Sequence, residues 1–189
     1  PCTRKEDTRI EIDGSEKPII TFFGHEKKSA EICKEIMTRL KFSNNEIDYV
    51  CHLIKEHMFF YESSWTDAAI RRFITRISLQ KYTTSEIIED LFDLRIADVT
   101  GMTNTPPILK DGRWSENLIE FKDRINQCIN ENAPLSLKDL AINGNDLINI
   151  GITGKQIGWT LNELLQYVLE SPSDNTKEKL LEIAKNINS

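Results

Sequence analysis

Residues 134–170 decide the fold more clearly than any other part of the chain, and they read PLSLKDLAINGNDLINIGITGKQIGWTLNELLQYVLE. Apolar residues recur there at helical spacing, and short turn signals interrupt them. Gly151 and Gly154 allow a left-handed backbone just before a new helix. A helix that opens on glycine presents unpaired N–H groups and a partial positive charge, and Lys155 adds a cation there. The pattern predicts helices joined by a tight corner that could hold a phosphodiester, without a catalytic side chain.

The same corner also has a purely structural interpretation. Glycine after one helix and a threonine cap before the next occur throughout helical proteins. A nucleoside-triphosphate loop is excluded, since Gln156 follows the lysine and no strand precedes it. A KH-type loop would need flanking strands that are missing.

Trp159, in the next turn, lies among apolar residues and is predicted to pack in the core, with stacking on a nucleotide as the alternative.

Composition and charge narrow the classes of function. The 189 residues are 29% charged and 39% apolar, with a net charge of −6. Residues 1–133 hold 19 Lys/Arg against 23 Asp/Glu, and residues 134–189 hold 5 against 7. Neither part is a basic module that binds duplexes by bulk electrostatics, so nucleic-acid binding would depend on local geometry. No apolar run approaches ~18 residues, so no membrane partner is expected. Scattered cysteines without a CxxC pair predict reduced thiols and a cytoplasmic location.

The rest of the chain predicts an all-α, multi-helix fold with at most a small β-hairpin at 9–23. Capping boxes that begin at Ser43 and Thr83 open two of the helices. Two prolines at 103–107 predict a division near 106–114, which would separate a domain at 1–105 from a second at 106–189. The predicted helices lie at about 25–40, 43–57, 66–77, 83–98, 115–132, 155–169 and 175–186.

Three side chains in separate predicted helices form a candidate metal site. His25, His57 and Asp98 carry the nitrogen and oxygen ligands that divalent metals use, and residues from several helices can converge in a bundle interior. A histidine at a helix end more often caps the helix or pairs with a carboxylate, and Asp98 also fits a C-terminal turn. On the residues alone, both interpretations stay open.

Six short motifs occur in one order along the chain. They are F-x-G-H-E-x-x-S-A at 22–30, R-L-K-F-S-N-x-E at 39–46, E-H-M at 56–58, L-R-x-A-D at 94–98, L-x-x-L-A-I-N-G-x-D-L-I at 137–148 and I-G-x-x-L-N-x-L-L-x-x-V-L-E at 157–170. Together they resemble the C-terminal half of the bacterial class II CCA-adding tRNA nucleotidyltransferases and poly(A) polymerases. The resemblance covers nearly the whole chain, and its specificity comes from order and spacing.

The resemblance implies a metal site only in an intact parent protein. Residues 1–105 would be a truncated HD-like domain whose His-Asp dyad precedes residue 1, and the absence of an initiator methionine agrees with that expectation. His25, Glu26, His57 and Asp98 match later positions of the HD pattern, so the intact site could hold a divalent metal. This chain is expected to lack phosphohydrolase activity, because the dyad holds the metal and its activated water.

The resemblance also implies that the nucleotidyl-transfer chemistry lies upstream. Members of the family use paired carboxylates in an N-terminal sheet domain to hold Mg²⁺, and CTP and ATP are selected in the same missing half. Glu11 and Asp13 lack the local pattern of that pair. This chain alone is therefore expected to have no catalytic residue, no cofactor and no CCA-adding activity. Whether the parent adds CCA, CC, A or a poly(A) tail depends on the missing half.

The expected partner is tRNA, held at its acceptor arm and elbow by the helical body and tail at 106–189. An enzyme that extends every tRNA is expected to read A-form backbone, phosphates and 2′-hydroxyls rather than one sequence. Arg71 has an alternative role as the i,i+4 partner of Asp67. The candidate RNA contacts are Lys138, Gly154, Lys155, Lys177, Arg71 and Arg72.

Two functions of other classes stay open on the sequence. One is an HD-type metal-dependent phosphohydrolase, for which a His-Asp dyad encoded upstream would be decisive. The other is a helical protein-interaction module, which would show no affinity for RNA at any salt concentration.

Overall fold

The structure, a computed structural model, describes residues 3–10, 16–79, 81–103, 116–131 and 133–188. Within these ranges it is helical apart from one two-stranded sheet, which confirms the all-α prediction. The prolines and the division predicted at 106–114 lie outside the described ranges, as do Glu11 and Asp13.

The predicted hairpin is present, although it begins earlier than the sequence indicated. Strand β1 spans Thr3–Ile10 and pairs antiparallel with β2, Glu16–Phe23, so that Thr3 lies opposite Phe23 and Ile10 opposite Glu16. The sequence placed only the end of β1 in a strand, because the preceding residues are polar and charged and carry no alternating apolar pattern.

Helices account for most of the described chain. They are α1 (His25–Arg39), α2 (Asn44–Glu56), α3 (Asp67–Ile77), α4 (Thr84–Thr103), α5 (Glu116–Asn130), α6 (Gly144–Asn149), α7 (Lys155–Glu170) and α8 (Lys177–Ile187), with 3₁₀ turns η1 (Leu137–Asp139) and η2 (Pro172–Asp174). The predicted helix boundaries agree with the structure to within a few residues, except that α4 continues five residues beyond the predicted end at 98 and the short α6 was not among the predicted helices. None of the helices in these ranges is long and apolar enough to cross a membrane.

The chain divides into two compact units. Unit 1 comprises Pro1–Phe60 and Leu79–Pro107, and unit 2 comprises Tyr61–Ser78 and Ile108–Ser189. In unit 1, α2 packs against both α1 and α4. The predicted capping box opens α2, where Ser43 N donates to Glu46 Oε2 at 2.8 Å and Glu46 N donates to Ser43 Oγ at 3.3 Å. Each bond satisfies an amide that the helix itself leaves unpaired.

In unit 2, α7 packs against α3, α6 and α8. One apolar cluster of this unit is built almost wholly from residues of the 134–170 segment, with two contributions from α8. Its buried members are Leu140, Ile142, Leu147, Ile152, Leu164, Leu165, Val168, Leu169, Leu180 and Ala184. The segment that predicted the fold from its periodicity therefore also supplies the apolar surface that stabilises it.

Residues 61–78 lie in unit 2, although the sequence-based division places them in the domain at 1–105. An aromatic cluster accounts for this placement. The ring of Phe121 in α5 lies 4.4 Å from that of Tyr61, 5.7 Å from that of Trp65 and 4.8 Å from that of Phe73, centroid to centroid. Burial of this aromatic surface is a large apolar contribution to stability. The boundary at 105/106 stays a prediction about domains, and the packing units do not follow it.

Polar contacts accompany the aromatic cluster. Tyr61 Oη and Ser63 Oγ each donate to a different oxygen of Glu120 at 2.6 Å. Arg124 donates to Tyr61 Oη at 3.2 Å and to Asp67 Oδ1 at 2.6 Å. The bonds from Ser63 and Tyr61 hold the pKa of the Glu120 carboxyl below its ordinary value. The segment before α3 is thereby joined to α5 by both apolar and charged contacts.

Candidate nucleic-acid interface

The corner between α6 and α7 begins with a Schellman motif. The N–H of Ile152 donates to Leu147 O at 3.0 Å, and the N–H of Gly151 donates to Ile148 O at 2.9 Å. These two hydrogen bonds are the pattern that defines the motif. Gly151 takes a φ of 94°, a left-handed conformation that favours glycine. Ile152 and Leu147 are both buried, and they supply the apolar contact that usually accompanies this motif.

Helix α7 then opens on Gly154, as the sequence predicts. Gly154 has φ 60° and ψ −136°, and no side chain caps the helix. The alternative in which threonine caps α7 is therefore wrong, because Thr153 precedes the cap position. The first turn contains no acidic residue. The first amides of α7 consequently face no competing side chain, which is the arrangement that suits an anion.

Two of the predicted cations are available at the surface. Lys155 and Lys138 are both exposed, Lys155 in the first turn of α7 and Lys138 in η1. Within the described ranges, neither ammonium has a hydrogen bond or an ion pair. Because neither charge is neutralised by the protein, each can pair with a phosphate without first breaking an internal contact.

Lys177 is committed to an internal contact. Its Nζ donates to Asp146 Oδ1 at 2.6 Å, and Asp146 Oδ2 accepts from Asn143 N at 2.9 Å in the capping box of α6. The hydrogen bond from Lys177 and then the one from Asn143 hold the pKa of Asp146 below its ordinary value. Lys177 remains exposed, so it can contact an anion only while sharing its charge with this carboxylate.

Asn175 joins two parts of unit 2 that lie far apart in sequence. Its Oδ1 accepts from Ala141 N at 2.9 Å and its Nδ2 donates to Asp139 O at 2.8 Å. The bonds hold the loop after η1 close to the start of α8. The sequence offered a signal only through the position of Asn175 just before the last helix, and it did not identify the partners.

Arg71 lies in the interior and is removed from the set of surface cations. It is 8% exposed, and its Nε donates to Leu169 O at 2.7 Å at the C-terminal end of α7. The i,i+4 pair with Asp67 does not form, since Asp67 accepts from Arg124 instead. Arg72 is partly exposed and forms an ion pair with Glu170. Both arginines thus contact the C-terminal end of α7, Arg71 from the interior and Arg72 at the surface.

The expectation that Trp159 packs in the core is wrong. The side chain is 49% exposed, whereas the next residue, Thr160, is fully buried. The apolar stripe of α7 runs through Leu161, Leu164 and Val168, and Trp159 lies two residues before Leu161, about 200° around the helix from it. The angular position of Trp159 on the helix could be derived from the sequence. The prediction of core packing gave more weight to the large apolar indole than to this angular position.

The three candidate metal ligands come close together in unit 1. The rings of His25 and His57 lie 5.6 Å apart, and His57 Nε2 lies 4.0 Å from Asp98 Oδ1. Each histidine Nδ1 lies within hydrogen-bond distance of a backbone carbonyl, that of Phe22 at 2.9 Å for His25 and that of Ile54 at 2.6 Å for His57. No group of three or more His, Cys, Asp or Glu side chains in the described ranges has a metal-holding arrangement. The ligand role of these residues stays a prediction.

Comparison with known proteins finds similarity in the second part of the chain. Residues 107–184 match the family model of tRNA nucleotidyltransferase domain 2. The chain is also 33% identical over 78 residues to an A-adding tRNA nucleotidyltransferase of Deinococcus radiodurans, a match that covers 41% of this chain and 16% of that protein. No solved structure matches the chain. The two matches support the C-terminal-region family of tRNA nucleotidyltransferases and confirm the resemblance to that family, and the family model covers residues 107–184.

Proposed function

We propose that this chain binds and positions tRNA as part of a tRNA nucleotidyltransferase. The observation that carries the proposal is the opening of α7, where three features occur together: a Gly154 cap, first amides without a side-chain cap, and Lys155, which has no partner within the described ranges. The corner lies inside the segment that matches tRNA nucleotidyltransferase domain 2. An anion held there would interact with the helix dipole, with main-chain N–H groups and with one mobile cation.

The binding mode that follows is recognition of the RNA backbone. Main-chain amides and a lysine ammonium bind phosphate oxygens but do not distinguish one base from another. Lys138 adds a second unpaired cation, while Lys177 and Arg72 contribute only charge shared with Asp146 and Glu170. Contacts of this kind suit the acceptor arm and elbow of tRNA, whose A-form shape is common to all tRNAs.

Nucleotidyl transfer itself is assigned to another part of the parent protein. The segment matched in the A-adding relative spans only 16% of that protein's length. In our proposal that other part holds Mg²⁺, selects CTP and ATP and adds CCA or a portion of it in the cytoplasm. The present chain contributes affinity and position, which lower the entropic cost of bringing the tRNA 3′ end to the reacting phosphate.

A metal at the HD-like region does not fit the described side chains as they stand. Asp98 accepts from Arg95 at 3.1 Å, so part of its charge is already compensated inside unit 1. The described residues supply no group of three ligands in metal-holding geometry. We therefore assign no hydrolytic step to this region and expect the purified chain to bind transition metals weakly.

Binding measured against matched nucleic acids tests the proposal. We expect the chain to bind several unrelated tRNAs with similar, weak affinity, because its net charge is −6. A DNA duplex with the same number of phosphates should bind more weakly, since it lacks the A-form shape and the 2′-hydroxyls. Equal binding of the duplex, or no binding of any tRNA even at low salt, would contradict the proposal, and the second result would favour a protein-interaction module.

A further inference from the structure

Trp159 is an exposed aromatic residue on an otherwise polar helix face. The other exposed residues of α7 are Lys155, Gln156, Gly158, Asn162, Glu163, Gln166 and Glu170. Trp65 in the same unit differs, because its ring packs against Tyr61, Phe73 and Phe121. Half of the Trp159 side chain remains accessible, without other exposed apolar residues of its own helix around it.

Two exposed charged side chains of α7 lie one helical turn from Trp159, a cation on its N-terminal side and a carboxylate on its C-terminal side. Lys155 lies one helical turn earlier on the same face, at the i,i+4 spacing that places Cβ atoms about 6 Å apart. The first eight residues of α7, KQIGWTLN, contain this one cation and no carboxylate. The first carboxylate of the helix is Glu163, which lies at the same i,i+4 spacing from Trp159 on the side away from the helix opening, so the cation is the charge between Trp159 and Gly154. Proteins that bind single-stranded nucleic acid stack bases on aromatic side chains and pair the neighbouring phosphates with cations. Trp159 and Lys155 offer these two kinds of group side by side.

We propose that Trp159 stacks on an exposed base of the bound RNA, next to the phosphate held at Gly154 and Lys155. The inference rests on the proposed tRNA-binding function and extends it to a base contact. A single aromatic residue among polar neighbours fits the π-face of one base, which needs no other apolar partner. A protein partner usually binds a contiguous apolar patch, and the other exposed residues of α7 are polar, charged or glycine. Because every base has a π-face, the contact adds affinity for RNA without selecting a sequence.

Substitutions at Trp159 test the stacking contact in the whole chain. Trp159→Leu keeps an apolar side chain but removes the aromatic face, and Trp159→Phe keeps a smaller face. We expect Trp159→Leu and Trp159→Ala to weaken tRNA binding about tenfold, and Trp159→Phe to weaken it about twofold to threefold. The salt slope should not change, because no charge is removed. Gln166→Ala, an exposed change two turns later on the same helix, is the control and should leave affinity unchanged.

Fluorescence supplies a second readout, since stacking on a base quenches an indole. Adding tRNA should quench the tryptophan emission of the wild-type chain, and the quench should be lost in Trp159→Phe although that variant still binds. Thermal unfolding should show all variants as stable as the wild type. Affinity unchanged in Trp159→Leu, or a quench retained in Trp159→Phe, would overturn the stacking contact while Lys155→Ala still reports on the phosphate site. If the wild-type chain binds no tRNA, the proposed function and this inference both fail.

Discussion

The two ends of α7 differ in whether their nearby cations are bound to other groups of the protein. At the C-terminal end the protein closes the helix itself, because Arg71 donates to Leu169 O at 2.7 Å and Arg72 pairs with Glu170. At the N-terminal end no side chain caps the first amides, and Lys155 has no partner within the described ranges. The first arrangement stabilises the fold, and the second leaves a positive helix end available to an anion.

The comparison shows why counts of charged residues do not locate a binding surface. Unit 2 contains both ends of α7, and its adjacent arginines at 71 and 72 were among the RNA contacts predicted from the sequence. Burial changes that assessment, since a guanidinium that satisfies a main-chain carbonyl cannot also reach a phosphate outside. The available charge is found only when each cation's internal partners are known.

The largest expected effect concerns the closed end of α7. Arg71→Ala removes a charged hydrogen bond to Leu169 O and leaves that carbonyl without its donor, so we expect a loss of about 2–3 kcal/mol in the free energy of unfolding. Arg72→Ala removes an exposed ion pair with Glu170 and should cost less than about 1 kcal/mol. Urea unfolding of both variants measures the difference. Equal, small losses would show that Arg71 does not close the helix.

Glycine at the open end is the next test. Gly154→Val places a β-branched residue at φ 60°, and we expect it to cost about 1–2 kcal/mol of stability and to weaken tRNA binding more than Lys155→Ala does. Gly158→Ala is the control, since an added Cβ there meets nothing within 4 Å and lies inside the helix. That change should raise stability by about 0.5–1 kcal/mol. A tolerated valine at 154 would mean that the corner can relax without its positive φ.

Local features of both ends could be predicted from the sequence, whereas long-range features could not. The start of α7 at Lys155 and the glycine corner depend on residues within one turn of each other, so cap and turn preferences suffice. The burial of Arg71 depends on a contact with a residue 98 positions away. No periodicity reports such a distance, because it is decided by tertiary packing.

The same distinction explains the placement of residues 61–78. Their helix was predicted to start at Thr66 or Asp67, and it begins at Asp67 after a Thr66 cap whose side chain accepts from Ala69 N. The unit in which they pack could not be read from the local sequence, because it depends on Phe121 and Glu120 in α5, far along the chain. The close approach of His25 and His57 was one of two interpretations that their residue types left open, and the family resemblance favoured it. Nothing in their local sequences decides whether two separate helices come together.

A pH measurement sharpens the contrast between the paired Lys177 and the unpaired Lys155. The pKa of Asp146 is lowered, so this carboxylate contributes stability above its ordinary pKa and loses it as the pH falls through its value in the folded state. Asp146→Asn removes the contribution. We expect the difference in unfolding free energy between wild type and variant to be present at neutral pH and to diminish as the pH falls below the ordinary pKa of an aspartate. A difference that is constant with pH would show that the Lys177 pair does not depend on the charge of Asp146.

The claim that the open end of α7 holds tRNA phosphate is tested most directly by a salt series with Lys155→Ala. Several unrelated tRNAs should each lose about 1 kcal/mol of binding free energy, and the salt slope should fall by roughly one unit, because one phosphate contact is removed. Lys185→Ala, another exposed lysine in α8, is the matched control and should change neither quantity. Unchanged affinity and slope for every tRNA in Lys155→Ala would contradict the account and leave residues 151–155 as a helix corner only.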